Sequence, residues 1–318
     1  MIDLTEAVSP ASGGTDSRGI LSPAEKTAVA MGLFDGLHLG HQDVIHRAVD
    51  FIPQGIAPAV FTFETDTVTS KGDGGVDVIL SKELKYELMD KLGVKYIYSP
   101  HFKEIRGLSG EDFVRLILRD RLNAGVVICG EDFSFGQGGK NGYAQLKQWC
   151  GQWGIDVIVI PPTLVDGRVV SSTRIRESIK AGDLPRANRL LGYDFSLKLP
   201  VVHGNALGRT MNFPTINQLL PQRQIIPKFG VYYSKTELAG KLYRSITNIG
   251  VKPTVGGEKV PLAETYIFDY SGDLYGRTVK ISLNTFIRAE KKFSGTEELF
   301  AQIAEDIETA KEFIRKGK

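Results

Sequence analysis

The chain has 318 residues, 42% hydrophobic and 9% aromatic, which suits two ordinary folded domains and excludes wholesale disorder. Its 39 basic and 37 acidic residues nearly cancel, so no nucleic-acid partner is expected, although a local phosphate pocket is compatible. Apolar runs are strand-sized, the first residues lack the pattern of a secretion signal, and Cys129 and Cys150 form no CxxC pair. A membrane span, a disulfide framework and a cysteine zinc site are therefore not expected, and a reducing, cytoplasmic setting is.

In chain order, Ala28-Val29-Ala30-Met31 reads as a short strand ending at Gly32, and 59–63 as another. Ser81 is placed to cap a helix through Leu92, with Gly93 ending it in the left-handed conformation. A strand at 94–98 precedes a helix after Ser109, with Phe113, Leu116 and Ile117 forming its apolar face. A strand at 126–129, a helix at 143–153 and a strand at 155–160 complete the alternation. Strands alternating with helices imply a Rossmann-like α/β domain whose parallel sheet binds ligands beyond the carboxyl ends of its strands. Asp183 and Pro185 open a short connecting helix.

After about Leu191 the pattern changes. Strands are expected at 201–202, 231–233, 242–249, 264–270 and 279–286, separated by turn residues such as Pro253, Gly256-Gly257 and Gly272-Asp273. Without intervening helices they predict an antiparallel β-barrel or sandwich. A helix from Thr296 follows, with Leu299, Ile303, Ile307, Ala310 and Ile314 in one stripe. The expected domains are 1–182 and 183–318.

Three segments lie at the binding edge of the first domain. The run Gly32-Leu33-Phe34-Asp35-Gly36-Leu37-His38-Leu39-Gly40-His41 leaves the first strand and enters a helix. Glycines let the backbone approach a ligand, and the helix N-terminus favours phosphate. His38 and His41, three apart, are suited to donating hydrogen bonds to phosphate oxygens as charge builds during attack on phosphorus. Ser171-Ser172-Thr173-Arg174-Ile175-Arg176 combines cap hydroxyls, helix dipole and arginines into a second anion site. Gly130-Glu131-Asp132-Phe133-Ser134-Phe135-Gly136 either holds a ribose or base through its carboxylates or is a plain glycine-bounded loop.

The second half has no P-loop and no protein-kinase signature. Gly204-Asn205-Ala206-Leu207-Gly208-Arg209-Thr210 leads instead into Phe213-Pro214-Thr215-Ile216-Asn217. A glycine-bearing loop suits phosphates, and Thr215 and Asn217 share one face of an extended strand, offering hard oxygens to Mg²⁺ on a nucleotide.

GLFDGLHLGH, GEDFSFG and SSTRIR, in this order, resemble the adenylyltransferase domain of prokaryotic bifunctional FAD synthetases. GRTMNFPTIN followed by Ala263-Glu264-Thr265-Tyr266, Asn248-Ile249-Gly250, Leu274-Tyr275-Gly276 and Phe286-Ile287-Arg288 with Glu290 and Phe293 resembles riboflavin kinase. The resemblance implies two reactions: phosphorylation of riboflavin to FMN by Mg·ATP, and adenylylation of FMN to FAD with release of pyrophosphate. It further implies that His38 and His41, with Gly32, Phe34, Asp35, Gly36 and Gly40, engage ATP. Ser172, Thr173 and Arg176 would complete that nucleotide site, and Asp132 and Phe133 would contact nucleotide or flavin. In the kinase half, Gly204, Gly208, Arg209 and Thr210 would bind phosphate and Thr215 and Asn217 Mg·ATP. Glu264 would be the general base, with Asn248 and Arg288 at nucleotide or flavin. One departure stands out: where the family carries TFxPHP on its flavin side, this chain reads Thr62-Phe63-Glu64-Thr65-Asp66-Thr67. Alternatives are a riboflavin kinase with a degenerate adenylyltransferase domain and a non-catalytic flavin-binding regulator.

Overall fold

The structure, a computed structural model, describes residues 1–5, 25–64, 77–203, 214–253 and 259–315. The chain divides into two compact units, Met1–Val76 with Lys82–Ser171 and Asp77–Ser81 with Ser172–Lys318. The division into compact units falls at Ser171/Ser172, because the helix beginning at Ser172 packs against the helix that follows it.

The first unit contains β1 (Ile2–Asp3), β2 (Thr27–Met31), α1 (Leu39–Val49), β3 (Ala57–Phe61), α2 (Lys82–Lys91), β4 (Tyr96–Tyr98), α3 (Phe102–Ile105), α4 (Gly110–Asp112), β5 (Ala124–Gly130), α5 (Tyr143–Gln152), β6 (Asp156–Ile160) and the hairpin β7 (Leu164–Val165) and β8 (Arg168–Val169). Six strands form one parallel sheet in the order β1-β4-β3-β2-β5-β6. All five residues of β2 are buried, as a central parallel strand covered on both faces requires. Its neighbours are β3 on one side and β5 on the other, so the sheet reverses direction of growth at β2 and opens a crevice at its carboxyl end. α1 buries Val44, Ile45 and Ala48 against this centre. α2 ends where expected, with Gly93 at φ +89°.

One reading needs correction. Leu116 does not face the core but is exposed, while Phe113, Val114, Ile117 and Leu118 are buried. The reason is that Phe113–Arg121 is wound as a π-helix, with the Leu122 N–H donating to the carbonyl of Ile117; the wider turn rotates Leu116 outward. The edge strand β1 was not foreseen, since two residues carry no periodicity.

The second unit contains α6 (Ser172–Ala181), α7 (Leu184–Leu191), β9 (Ser196–Pro200), β10 (Thr215–Leu219), β11 (Gly230–Leu238), β12 (Lys241–Pro253), β13 (Lys259–Ile267), β14 (Thr278–Arg288) and α8 (Thr296–Arg315). Asp183 caps α7 by accepting from the Arg186 N–H, and Pro185 stands in its first turn, as expected. The six strands are antiparallel in the order β10-β13-β12-β11-β14-β9. The expected strand at 201–202 is displaced to β9, and Val202 makes only a bridge to Asn217. That bridge, with Gln218 Nε2 donating to the Leu199 and Val279 carbonyls, brings β10 back towards β9 and nearly closes a barrel. The expected turn at Gly256-Gly257 lies outside the described residues.

The barrel's inward face is unusually polar. Ser234, Thr236, Ser245, Thr247 and Thr265 are fully buried. Ser234 bonds both Ser245 and Thr247, Thr236 bonds Ser245, and Thr247 bonds Thr265, each at 2.8–2.9 Å. On the outer face Val231, Tyr233 and Ile246 pack against Ile303, Ile307, Ala310 and Phe313 of α8, so Ile303, Ile307 and Ala310 of the predicted stripe lie on the packing face, while the Ile314 side chain lies outside those described.

α8 is also held by charge. Arg288 donates from Nε and one terminal nitrogen to the two carboxylate oxygens of Asp306, at 2.8 and 2.7 Å. The Asp306 side chain is 3% exposed and that of Arg288 22%. Removing one partner of a buried pair strands the other. Asp306→Ala is therefore expected to destabilise the second unit by about 3 kcal/mol, at the low end for buried pairs because Arg288 keeps some solvent. Urea unfolding monitored at the barrel tyrosines measures it.

Candidate active sites

In the first unit the site is built on a strained turn between β2 and α1. Phe34 and Leu37 adopt φ of +51° and +37° and Gly36 φ of +81°; two non-glycine residues there cost energy that surrounding packing must offset. Both are anchored, since Phe34 and Leu37 are essentially fully buried. The turn delivers His38 to the N-cap of α1, where its Nδ1 accepts from the His41 N–H at 3.3 Å. The two imidazoles stack with centroids 3.6 Å apart, and Phe34 meets His41 edge-on at 5.3 Å. Burial holds the His41 pKa well below the ordinary histidine value, and charge on His38 and on Lys85 acts in the same direction. His41 is therefore neutral at pH 7, and its buried Nδ1 has no hydrogen-bond partner among the described residues. A neutral imidazole at a helix N-terminus with an unused polar atom is suited to a phosphate oxygen.

The same edge carries Asp132 and Phe133 just beyond β5, the strand adjacent to β2. Phe133 stacks on Phe135 at 5.8 Å, which belongs to the core beneath the sheet. Beyond β3, Glu64 receives Lys82 at 2.8 Å and lies 3.0 Å from His101 Nδ1. Thr65, Asp66 and Thr67, the departure from TFxPHP, lie outside the described residues.

The sequence reading missed Lys85. A lysine in the middle of a helix reads as a solvated residue, yet here it is 2% exposed. Its Nζ donates to the Leu33 carbonyl and to Thr62 Oγ1, each at 2.7 Å. Burial lowers its pKa to about 7, with Asp35 pulling weakly the other way. The available signal was spacing: position 85 falls four residues before buried Met89, on the inward side of α2.

In the second unit Ser172, Thr173 and Arg176 occupy the first turns of α6, a ten-residue helix, and Arg176 Nε donates to the Asp77 carbonyl at 2.9 Å. The barrel brings four predicted residues into one patch. Asn217 pairs with Glu264 across β10 and β13, and Glu264 pairs with Asn248 across β13 and β12. Directly paired residues point to the same side of a sheet, so the three form a row. Thr215, two residues before Asn217, shares that side and donates from Oγ1 to Glu264 Oε1 at 3.2 Å. Asn217 is 6% exposed, and its Oδ1 has no partner among the described residues. Glu290 adds a second carboxylate to this face, its Oε1 lying 2.1 Å from where a Cβ on Gly250 would stand. Next to Thr215 a cleft of about 230 Å³ opens, bounded by Ile216, Ile267 and the 270–275 turn. Tyr275 stacks on His203 at its rim, with centroids 3.9 Å apart.

Arg288 is not part of the row. It lies on β14, separated from β13 by β12 and β11, and its guanidinium is taken up by Asp306. Gly204, Gly208, Arg209 and Thr210 lie outside the described residues. Among those described, no group of three or more His, Cys, Asp or Glu side chains is placed to hold a metal ion.

Comparison with known proteins agrees with this geometry. A family model described as FAD synthetase matches residues 21–174, and one described as riboflavin kinase matches 191–314. Two curated relatives are named bifunctional riboflavin kinase/FMN adenylyltransferase. The protein of Listeria monocytogenes is 35% identical over 91% of this chain and 92% of its own length. That of Escherichia coli K12 is 33% identical over 92% of this chain and 94% of its own. A solved structure described as a macrolide-efflux protein from Streptococcus pneumoniae is 30% identical, covers 92% of this chain and 95% of its own, and superposes with a TM-score of 0.81. No helix among the described residues of the present chain is long and apolar enough to cross a membrane. With two family models in tandem and relatives aligned over nine-tenths of its length, the chain belongs to the bifunctional riboflavin kinase/FMN adenylyltransferase family and makes FAD from riboflavin in two ATP-dependent steps.

Proposed function

We propose that the two reactions are divided between the two sites as follows. Riboflavin phosphorylation takes place at the row Asn217–Glu264–Asn248. The observation that carries this reading is the hydrogen bond from Thr215 to Glu264 beside the buried, unpartnered Oδ1 of Asn217. Thr215 orients the Glu264 carboxylate, whose other lone pairs are suited to accepting the proton of the ribityl 5′-hydroxyl as that oxygen attacks the γ-phosphorus. Asn217 Oδ1 and Thr215 Oγ1 are hard oxygen donors, a set that fits Mg²⁺ carried on ATP. Bound there, the ion would offset the charge of the phosphates. The adjoining cleft would take the nucleoside, and Gly204, Gly208, Arg209 and Thr210 its phosphates.

Adenylyl transfer takes place at the β2–α1 turn. His38 and His41 donate to the phosphates of ATP while the FMN phosphate attacks the α-phosphorus and pyrophosphate leaves. The backbone of Gly32 to Gly40 lies close to the nucleotide, Ser172, Thr173 and Arg176 serve its phosphates, and Asp132 and Phe133 contact nucleoside or flavin. On this reading residues 1–182 serve adenylylation and 183–318 phosphorylation, in a cytoplasmic enzyme.

The basic test incubates the protein with Mg·ATP and either riboflavin or FMN and separates the flavins by chromatography. FAD is expected from both substrates. FMN accumulating from riboflavin, with no FAD from either, would leave a kinase whose first site is silent and would direct attention to Asp66.

Glu264→Gln is expected to lower FMN formation by at least about 10²-fold, the usual contribution of a general base. FAD formation from supplied FMN should persist. His38→Ala with His41→Ala should do the reverse, lowering FAD formation about 10²–10³-fold and sparing phosphorylation. Loss of both activities in either folded variant would refute the division of labour.

A further inference from the structure

The turn that presents the histidines rests on a positive charge that its hydrogen bonding does not require. The Leu33 carbonyl already accepts from Thr62 Oγ1 at 2.9 Å. Lys85 Nζ adds a second bond to that carbonyl and one to the same hydroxyl, both at 2.7 Å. Only 2% of Lys85 is exposed, and no carboxylate is bonded to it among the described residues. A buried cation without a bonded anion is costly. A methionine would fill the space and leave the Thr62–Leu33 bond in place. Such a feature belongs where function outweighs stability.

We propose that Lys85 is a positioning residue for adenylyl transfer: its ammonium ties the carboxyl ends of β2 and β3 beneath His38 and His41 and supplies the positive potential that an anionic nucleotide meets there. This rests on the assignment of adenylyl transfer to the β2–α1 turn. Among the described residues, Lys85 hydrogen-bonds that turn at the Leu33 carbonyl, and it acts through the histidines it supports.

The charge environment is small enough to name. From the turn, Asp35 favours the ammonium; towards α1, charge on Lys85 and on His38 disfavours charge on His41. Just beyond β3 stands the neutral Thr62 hydroxyl. Burial has lowered the Lys85 pKa to about 7, so in the free enzyme its charge is lost as pH rises through neutrality. Phosphate anions arriving at the turn favour the charged form again. FAD formation, read as kcat/KM for ATP, should therefore fall on the alkaline side of neutrality, and riboflavin phosphorylation in the same protein should lack that limb.

The effect on stability has the opposite sense. Between a folded pKa of about 7 and the ordinary value of 10.5, the unfolded chain holds more protons than the folded one, so stability rises with pH across that window. Below neutrality the burial penalty is present in full. Lys85→Met removes it, and should raise the thermal unfolding midpoint near pH 6 and change it little near pH 10.

The deciding experiment assays Lys85→Met for both reactions and for unfolding. FAD formation from FMN is expected to fall about 10²-fold, as misplacing a site demands. FMN formation from riboflavin should stay within about twofold of wild type, and the midpoint near pH 6 should rise. A lysine that merely held the fold together would lower the midpoint together with FAD formation. That result would overturn the proposal, as would unchanged FAD formation. Thr62→Val supplies a second check through the wild-type lysine. It removes one acceptor, so the alkaline limb of FAD formation should move to lower pH; a superimposable profile contradicts the proposal. Failure of the underlying site assignment shows itself separately, as continued FAD formation by the His38→Ala, His41→Ala enzyme.

Discussion

The site proposed for phosphorylation depends on strand register. Asn217, Glu264 and Asn248 form a row only while β10, β13 and β12 keep their pairing. A slip of one residue would turn Glu264 into the barrel and Thr265 out. An apolar interior resists that slip by burial alone, but says little about which of several apolar side chains meets which. Here the interior carries hydroxyls that bond one another in pairs, with Thr265 on Thr247, and Thr247 and Ser245 on Ser234. Each bond is directional, and breaking one leaves a buried polar group unsatisfied. The inward face thus specifies the alignment that the outward face uses.

The two proposed sites are built differently. One lies on the face of an antiparallel sheet, where alternate residues of three strands converge and a carboxylate is oriented by a neighbouring hydroxyl. The other lies at the end of a parallel sheet, where backbone conformation does the positioning: two left-handed non-glycine residues and a helix N-terminus set two stacked imidazoles in place. Burial keeps His41 uncharged, so it offers hydrogen bonds without the repulsion that two stacked imidazolium ions would suffer.

The parts of this architecture legible in the sequence were those with strong local signals. The apolar run Ala28–Met31, the helix closing at Gly93, the α7 start at Asp183 and the Ile303, Ile307 and Ala310 face of α8 all stand in the composition and spacing of adjacent residues. Thr215 and Asn217 were placed on one face by strand periodicity alone. The illegible parts depended on tertiary context. Leu116 faces outward because the helix is π-wound, which its residues do not announce. Lys85 looks like a surface lysine until the sheet edge closes over it. Arg288 was named through the family resemblance, and nothing in its neighbours along the chain announces that Asp306 of α8 pairs with it.

The short segment Asp77–Ser81 has a consequence for how the chain is dissected. It lies in sequence amid the first unit yet clusters with the second. There the Val78 N–H donates to the Arg223 carbonyl, its own carbonyl accepts from the Ile225 N–H, and Ile79 and Leu80 are buried. The polypeptide therefore changes units three times rather than once. A kinase fragment started anywhere after the adenylyltransferase sequence would lack one of its own pieces, with a backbone donor and acceptor unpaired and an apolar groove open. A gene cut between Ser171 and Ser172 therefore leaves Asp77–Ser81 on the piece with which it does not cluster.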